Sequence, residues 1–556
     1  PPPSPAGNPG GTPAWRTRAM AAPNIPASKR AGLPVDLDRL AVDGDGWLTP
    51  EERYALKTHG VCAQKQPGVF MVRVRIPGGR LDAGQAVAIA DLADAYGGGW
   101  AHLTTRQNIE LHHVAATDIP AVLRAVDATG LSTRSACGHT LRNVMACPDA
   151  GVGLDEPFDC LPDALAASAA IVARSAELNV VLPSRINMAF GGCPACAEHA
   201  RLNDAGFESV VVDGEAGYRL WAGGSLGVAP SLAVLVDDFV ARRDVVSAAI
   251  ALAETFIALG DLDNPKQGRM KFVLERIGAE AFRAAWRQRF TPGTDEPAPV
   301  DVPKAADIAE ILGHAPDGGW GAGVRPQRMP GLAMVTAHVP LGDLDGRELR
   351  ALAALARYGS GPLWLTRNQD VQWRDVPVES VGALRHSLGE LGLGVAGADT
   401  SVDVRACTGS SVCALAITDA PSAGGRVAAS PALARNGSLR VHVSGCPNSC
   451  AQHQAGDIGL AGAKVRIGGR TRLGYTVFLG TDLAAGRIGE AVGRVTEDDV
   501  ETVVSGIVGT WEVLRRPGER LVETLDRVGT DAFAGHVTAI ATGFVPGADE
   551  AAPITA

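Results

Sequence analysis

Two distant stretches of this 556-residue chain follow one plan, and that duplication narrows the folds open to it. Phe70 to Leu81 reads FMVRVRIPGGRL, an alternating strand that ends in Pro-Gly-Gly, followed by an Ala-rich helical stretch and LTTRQNIELHHV. Leu332 to Leu344 reads LAMVTAHVPLGDL, followed by an Ala/Leu-rich stretch and LTRNQDVQWRDV. Each copy closes with a further helical pattern ending in Gly-Leu, at Gly130-Leu131 and Gly392-Leu393. Period-two strands around helices with three- and four-residue apolar spacing predict a compact α+β unit with an antiparallel sheet, present twice.

The duplication runs on into a cysteine-bearing region. ACTGSSVC sets Cys407 and Cys413 six positions apart, and SGCPNSC sets Cys446 and Cys450 four apart. Zinc sites usually pair cysteines two to four residues apart in matched knuckles, so a six-then-four spacing suits four thiolates on a cubane iron–sulfur cluster. Four buried, unligated thiols are the alternative, since free cysteine is often interior. LPSRINMAFGGCPACAEHARLNDAGF, from Leu182, parallels GSLRVHVSGCPNSCAQHQAGDIGL, from Gly437, and SACGHTLRNVMAC parallels VRACTGSSVC. Cys137, Cys193 and Cys196 are therefore expected to echo the cluster ligands. A packed vestige is the expectation, and a second cluster on Cys137, Cys147, Cys193 and Cys196 stays open. A thioredoxin-like reading of CPAC would need a strand-to-helix setting and an adjacent fold that the sequence does not show.

Cys-x5-Cys, then GCPNSC, then AGDIGLAG resembles the ferredoxin-type assimilatory nitrite and sulfite reductases, which depend on sirohaem and a [4Fe–4S] cluster. The resemblance spans about His59 to Leu521. It implies a pseudo-twofold α+β fold with two ferredoxin-like halves and two mixed α/β domains that bind sirohaem and cluster. The implied divisions are 51–134 and 327–396 for the halves, 135–291 for the sirohaem and substrate domain, and 397–556 for the cluster domain. Residues 292–326, rich in Pro, Gly and Asp, are expected to be a linker, and 1–50 a disordered or extended segment.

The resemblance also implies roles. Cys407, Cys413, Cys446 and Cys450 would hold the cluster, with Cys450 bridging to the sirohaem iron. Arg73 and Arg142 match arginines that face the anion, joined by Arg185 and Asn187 of LPSRIN. Arg106 matches an arginine on sirohaem carboxylates, and Arg75 shares a strand face with Arg73. Gly223 and Gly224 of LWAGGSLG match a turn where backbone nears the macrocycle, and Lys266, Arg269 and Lys271 of NPKQGRMKF match a basic segment on its carboxylates. Thr336 and His338 replace Arg73 and Arg75 in the second copy, so the strand itself does not need those charges. The electron donor is expected to be ferredoxin, since no flavin or Rossmann signature is apparent.

The chain departs from the family pattern in places. Sulfite reductases of this kind typically carry Lys-x-Lys and nitrite reductases Lys-x-Asn where this chain has Arg185-x-Asn187. Asn187 leans toward nitrite, and an arginine cannot give up a proton near neutral pH. Proton delivery would fall to water or to a histidine, with His112 and His139 nearest to matched motifs. Glu110 stands where relatives often have Gln and would oppose an anion if it faced the pocket. Cys62 stands where relatives often have an aromatic.

Composition bounds the rest. Net charge −10 argues against nucleic acid, and no apolar run reaches a membrane span. Ten cysteines in a long chain fit a reducing, cytoplasmic setting, and a monomer is expected. Only 7 of the 51 basic residues are Lys; a codon-composition bias is the preferred explanation, though planar guanidinium forks also suit carboxylates and small oxyanions. Two rival functions remain open: a precorrin-3B synthase-like oxygenase, which takes a tetrapyrrole as substrate, and a specialised secondary-metabolism relative.

Overall fold

The structure is a computed structural model, and it describes residues 22–293, 308–467 and 470–536. Four five-stranded sheets carry the architecture. The first runs Val61–Ala63, Val69–Arg75, Asn108–Ala115, Trp100–Leu103 and Asp343–Asp345, all antiparallel. The second runs Val324–Pro326, Leu332–Ala337, Val371–Pro377, Leu363–Leu365 and Arg80–Leu81. The last strand of each sheet comes from the other half, so the two halves exchange edges. The exchange covers two strand edges that would otherwise be open templates.

Tight turns make the exchange possible. Gly78 and Gly79 lie at φ 61° and 73°, and Leu341 and Gly342 repeat the bend at φ 57° and 79°. Gly79 has no alternative, because a Cβ there would stand 2.6 Å from Leu365 O. Gln107 and Gln369, both at positive φ, bolt the halves together. Gln107 Nε2 donates to Leu365 O at 2.9 Å and Gln369 Nε2 to Leu103 O at 2.8 Å. A single apolar core runs through both halves, from Val72, Val74 and Leu111 to Val335, Trp373 and Leu384.

The other two sheets share a topology of three parallel strands followed by two antiparallel ones. One is Leu141–Ala146, Ile186–Gly191, Ala205–Val212, Glu215–Ala222 and Val234–Ala241. Its counterpart is Arg405–Ala406, Val441–Ser444, Ile458–Ile467, Arg470–Leu479 and Glu490–Thr496. Each packs its helices around a core of its own. The duplicated α+β fold is thus as expected.

The strand register corrects one alignment. Cys147 directly follows Leu141–Ala146, as Cys407 directly follows Arg405–Ala406. Cys147 is the echo of Cys407, and Cys137 precedes its strand.

Two segments also differ from expectation. Residues 22–50 are folded: Ile25–Arg30 and Leu37–Asp43 are helices capped by Asn24 and Asp36, and Thr49 with Glu52 forms a capping box that opens Pro50–Thr58. The expected disorder over residues 1–21 falls outside the described residues. Within the expected linker, Ile308–Gly313 is helical and Val324–Pro326 is a strand of the second half, while 294–307 lies outside the described residues. Among the described residues no single helix is long and apolar enough to cross a membrane. The bent pair Leu161–Ala173 and Ser175–Val181 passes on length and composition, yet it buries Ala164, Ala167 and Ile171 in a protein core.

Candidate functional site

The four expected cluster cysteines sit on two loops at the carboxyl ends of parallel strands. Gly445 N donates to Cys407 Sγ at 3.1 Å, and Cys413 closes the short helix Gly409–Val412. Ser449 and Gln452 adopt left-handed backbone on either side of Cys450, at φ 59° and 60°. Burial first, and then neighbouring thiols, push up Cys407, Cys446 and Cys450. Thiols that resist ionisation together are ones whose charge only a bound cation would favour. Among the described residues no three of these four sulfurs lie within 4.8 Å of one another. A single tetrahedral zinc would draw its sulfurs to about 3.8 Å apart, so the wider set fits a multinuclear cluster.

The first half grips both loops. Thr105 Oγ1 donates to Cys450 O at 2.8 Å, Lys65 N to Val412 O at 2.9 Å and Gln66 Nε2 to Ser411 O at 2.7 Å. The charges of Arg73 and Arg185 bear on Cys450, so the cysteine loop and the arginines form one electrostatic unit.

Those arginines are arranged unequally. Arg73 is half-buried and gives Nε and Nη2 to Glu110 Oε1 at 2.9 and 2.6 Å, with Nη1 3.2 Å from both Ala136 O and Cys137 Sγ. Burial alone would raise Glu110, but Arg73 and His112 hold its carboxyl well below the usual range. Glu110 therefore neutralises Arg73 instead of facing an anion as an unmatched charge. Cys62 and Cys137 contact each other beside this pair, and Arg73 and Arg142 favour the Cys137 thiolate.

Arg142 binds backbone, with Nη1 on Ala136 O and Nη2 on Gly138 O, both at 2.7 Å. Arg106 Nη1 reaches Asn203 Oδ1 at 3.1 Å, and burial lowers Arg106 to about 10. Arg269 is paired twice over with Asp204 Oδ1, at 3.1 Å from Nε and 2.9 Å from Nη2. Arg185 has no hydrogen bond or ion pair among the described residues. Repulsion from Arg269, then burial, then Arg142 push its guanidinium well below the ordinary value. A half-buried cation repelled by three others is a place for an anion.

Several expected residues prove to be placed differently. Asn187 is 2% exposed, and its N and Nδ2 both donate to Asp204 Oδ2 at 2.9 Å. It braces Asp204, which in turn aims Arg269. Arg75 is 1% exposed and donates to Arg134 O, Arg142 O and Ser168 Oγ. It clamps two backbone carbonyls and a serine hydroxyl. A Cβ on Gly223 would stand 2.2 Å from Leu274 Cδ1, and one on Gly224 would stand 2.2 Å from Arg201 O. Protein packing already requires both glycines. Lys271 Nζ donates to Ala229 O, and burial lowers this lysine to about 8. Lys266 is exposed.

The two histidines named as proton donors are both enclosed by protein. His112 is buried and stacked on Trp100 at 4.6 Å between centroids. Burial, then Lys29 and Arg185, lower His139 to about 3, so its imidazole is neutral near pH 7.

Sequence reasoning missed Lys29 and Asp204. Lys29 lies in the segment expected to be disordered, yet it is 1% exposed and donates to Asn179 O and to His139 O, the latter at 3.1 Å. Burial lowers it to about 7. The alternation of Ile25, Leu33, Val35 and Leu37 with helix caps was the available signal. Asp204 carried none, because its partners lie 17 and 65 residues away.

Comparison with known proteins agrees with this geometry. The model of the nitrite/sulfite reductase ferredoxin-like half domain matches residues 63–129 and 325–391, and the nitrite and sulphite reductase 4Fe-4S domain matches 137–292 and 397–541. The ferredoxin–nitrite reductase of Synechococcus elongatus is 32% identical over 78% of this chain and 85% of that protein. The assimilatory ferredoxin-dependent nitrite reductase of Haloferax mediterranei is 30% identical over 90% of this chain and 88% of its own length. The solved structure of the Mycobacterium tuberculosis NirA protein superposes with a TM-score of 0.79, at 26% identity, over 93% of this chain and 99% of that one. Both copies of both domains are therefore accounted for, and the chain belongs to the nitrite and sulfite reductase family.

Proposed function

We propose that this protein reduces nitrite to ammonia, taking single electrons from ferredoxin, at a sirohaem coupled to a [4Fe–4S] cluster. Nitrogen passes from +3 to −3, so the reaction takes six electrons and needs an electron store beside the binding site. When bound, the cluster–sirohaem pair supplies that store and an open iron position. Cys407, Cys413, Cys446 and Cys450 would hold the cluster. Their free thiols and wide sulfur spacing support this. A macrocycle with several carboxylates fits Arg185, which has no partner among the described residues, together with Arg106 and Arg142.

The chain's own residues bind and hold the anion. Arg185 attracts it, Arg142 supplies a second guanidinium fixed by backbone carbonyls, and Arg73 lends a charge moderated by Glu110. Asp204 and Asn187 keep Arg269 in place behind them. Protons come through water, because His139 is neutral near pH 7 and arginine does not exchange them. The observation that carries the reading is the Thr105–Cys450 hydrogen bond, which seats the cluster loop within the field of Arg73, Arg106 and Arg185. Sulfite is the alternative substrate of the same machinery. A monomer in the cytoplasm completes the reading.

The absorption spectrum of the purified protein tests it. Sirohaem bands together with cluster absorption, both lost in Cys450→Ser, support the proposal. A cluster without a macrocycle favours the oxygenase reading and overturns it.

A further inference from the structure

Outside the cluster loops, three other cysteines converge. Cys147, Cys193 and Cys196 place their sulfurs within 4.8 Å of one another, and Cys147 Sγ lies 3.5 Å from Cys193 Sγ. That separation is far longer than the roughly 2.05 Å of a disulfide. It is close to the edge of about 3.8 Å that a tetrahedral ion with metal–sulfur bonds near 2.3 Å would impose. It is too short for a cubane, whose cysteine sulfurs each cap a different iron. Cys137, which the open second-cluster reading would require, lies instead against Cys62 and Arg73.

The fold builds this convergence deliberately. Ile186–Gly191 runs into Gly191-Gly192, and Pro194–Ala200 then folds straight back as a helix with Cys193 as its cap. A Cβ on Gly191 would stand 2.5 Å from Ala197 Cα, so only glycine lets the helix lie flush on the strand end. Cys196 N and Ala197 N both donate to Cys193 O, at 3.0 and 2.9 Å, which brings the two sulfurs round to one side. Cys147 meets them from the end of the neighbouring parallel strand. CPAC thus does have a strand-to-helix setting, contrary to the reading of the sequence, but within a sheet of different order and with a third thiol present.

Two further observations point to a cation. Arg367 Nη1, from the other half, stands 2.8 Å from Cys196 Sγ. A guanidinium on sulfur is the partner of a thiolate, and three thiolates around a divalent ion leave one negative charge for it to balance. Beside Gly192, Glu156 is 4% exposed, and its Oε2 is buried with no hydrogen-bond partner among the described residues. That oxygen comes within 2.9 Å of where a Gly192 Cβ would sit, and Cys147 Cβ within 3.4 Å of the same point. A buried carboxyl oxygen left without a partner among the described residues stands beside the three thiols as an unused donor atom.

We propose that Cys147, Cys193 and Cys196 bind a single soft divalent cation, of which zinc is the representative, as a structural site separate from the redox cofactors. The ion ties Ile186–Gly191 to Leu141–Ala146 in the first copy, at the place where the second copy carries the cluster.

The test is metal analysis of the holoenzyme purified without chelator, with zinc and iron counted per chain. The expected result is close to one zinc per chain that survives dialysis, falls at least fivefold in Cys193→Ser, and leaves iron per chain unchanged. Cobalt introduced during growth should give the thiolate charge-transfer bands of a tetrahedral site in the parent. If Cys193→Ser does not fold, the parent's zinc content and cobalt spectrum still decide. Three results would overturn the proposal: no metal beyond the iron of sirohaem and one cluster, extra iron and sulfide in the amount of a second cluster, or a disulfide among the three cysteines in protein handled without oxygen.

Discussion

Arg73 and Glu110 face each other across neighbouring strands, and both Nε and Nη2 of the arginine converge on one carboxylate oxygen. The matching positions in the second half, Thr336 and Gln372, are neutral and occupy the same register. The pair is therefore an addition to the first copy. It sets how much of Arg73's charge reaches the pocket.

Glu110→Gln should release that charge. The KM for nitrite is expected to fall about fivefold, on the order of 1 kcal/mol for a neighbouring charge at the edge of a pocket. Thermal stability should fall as well, because Arg73 is left half-buried without its partner, a loss of roughly 2 kcal/mol. A KM that rises instead would mean that Glu110 acts on substrate directly.

Arg185 behaves oppositely. Since it has no partner among the described residues and is repelled by Arg269, Arg185→Ala should leave the melting temperature unchanged or higher. The KM for nitrite, measured per sirohaem, should rise about ten- to a hundredfold, the range for losing a charged hydrogen bond. Loss of stability with an unchanged KM would make Arg185 a structural residue.

Asn187 was expected to choose between nitrite and sulfite, and the buried amide on Asp204 changes that expectation. A lysine here would put its ammonium on Asp204 and displace Arg269. Asn187→Lys should therefore lower turnover of both anions severalfold, with their ratio altered less than twofold. A selective gain in sulfite turnover in paired steady-state assays would restore the direct role.

Lys29 gives a pH signature. Burial lowers it from 10.5 to about 7, so between those values the unfolded chain holds a proton that the folded one has shed. Stability then rises with pH across that window, and below about pH 7 the full penalty of a buried ammonium applies. Lys29→Met should lack this rise. Melting temperatures of parent and variant, taken at pH 6.5 and 9.5, should converge or cross in the parent's favour at the higher pH. A constant difference would contradict the burial argument.

Much of the fold was legible because its signals are local. Strand alternation at Phe70–Arg75 and Leu332–Ala337, and the cysteine loops, can be read from neighbouring residues. The exchange of Arg80–Leu81 and Asp343–Asp345 was not, because Pro-Gly-Gly and Pro-Leu-Gly-Asp look like ordinary turns until the partner strand is known. Matching Cys137 to Cys407 failed for a similar reason. Motif similarity placed it before a strand whose far end carries the true counterpart, Cys147. The arginines were found by residue type, but what each one binds depends on Asp204, Glu110 and backbone carbonyls supplied from afar. Arg75 and Arg185 illustrate the divide: one was read as a cofactor contact and the other as facing the anion, and among the described residues only Arg185 is left without a partner.

Electron counting tests the central claim most directly. With reduced ferredoxin as sole donor, nitrite lost, ammonium formed and ferredoxin oxidised should stand in the ratio one to one to six. Stoichiometric ammonium would bear out a pocket and cluster working as one unit. Protein that carries sirohaem and its cluster but yields no ammonium from nitrite would contradict the account.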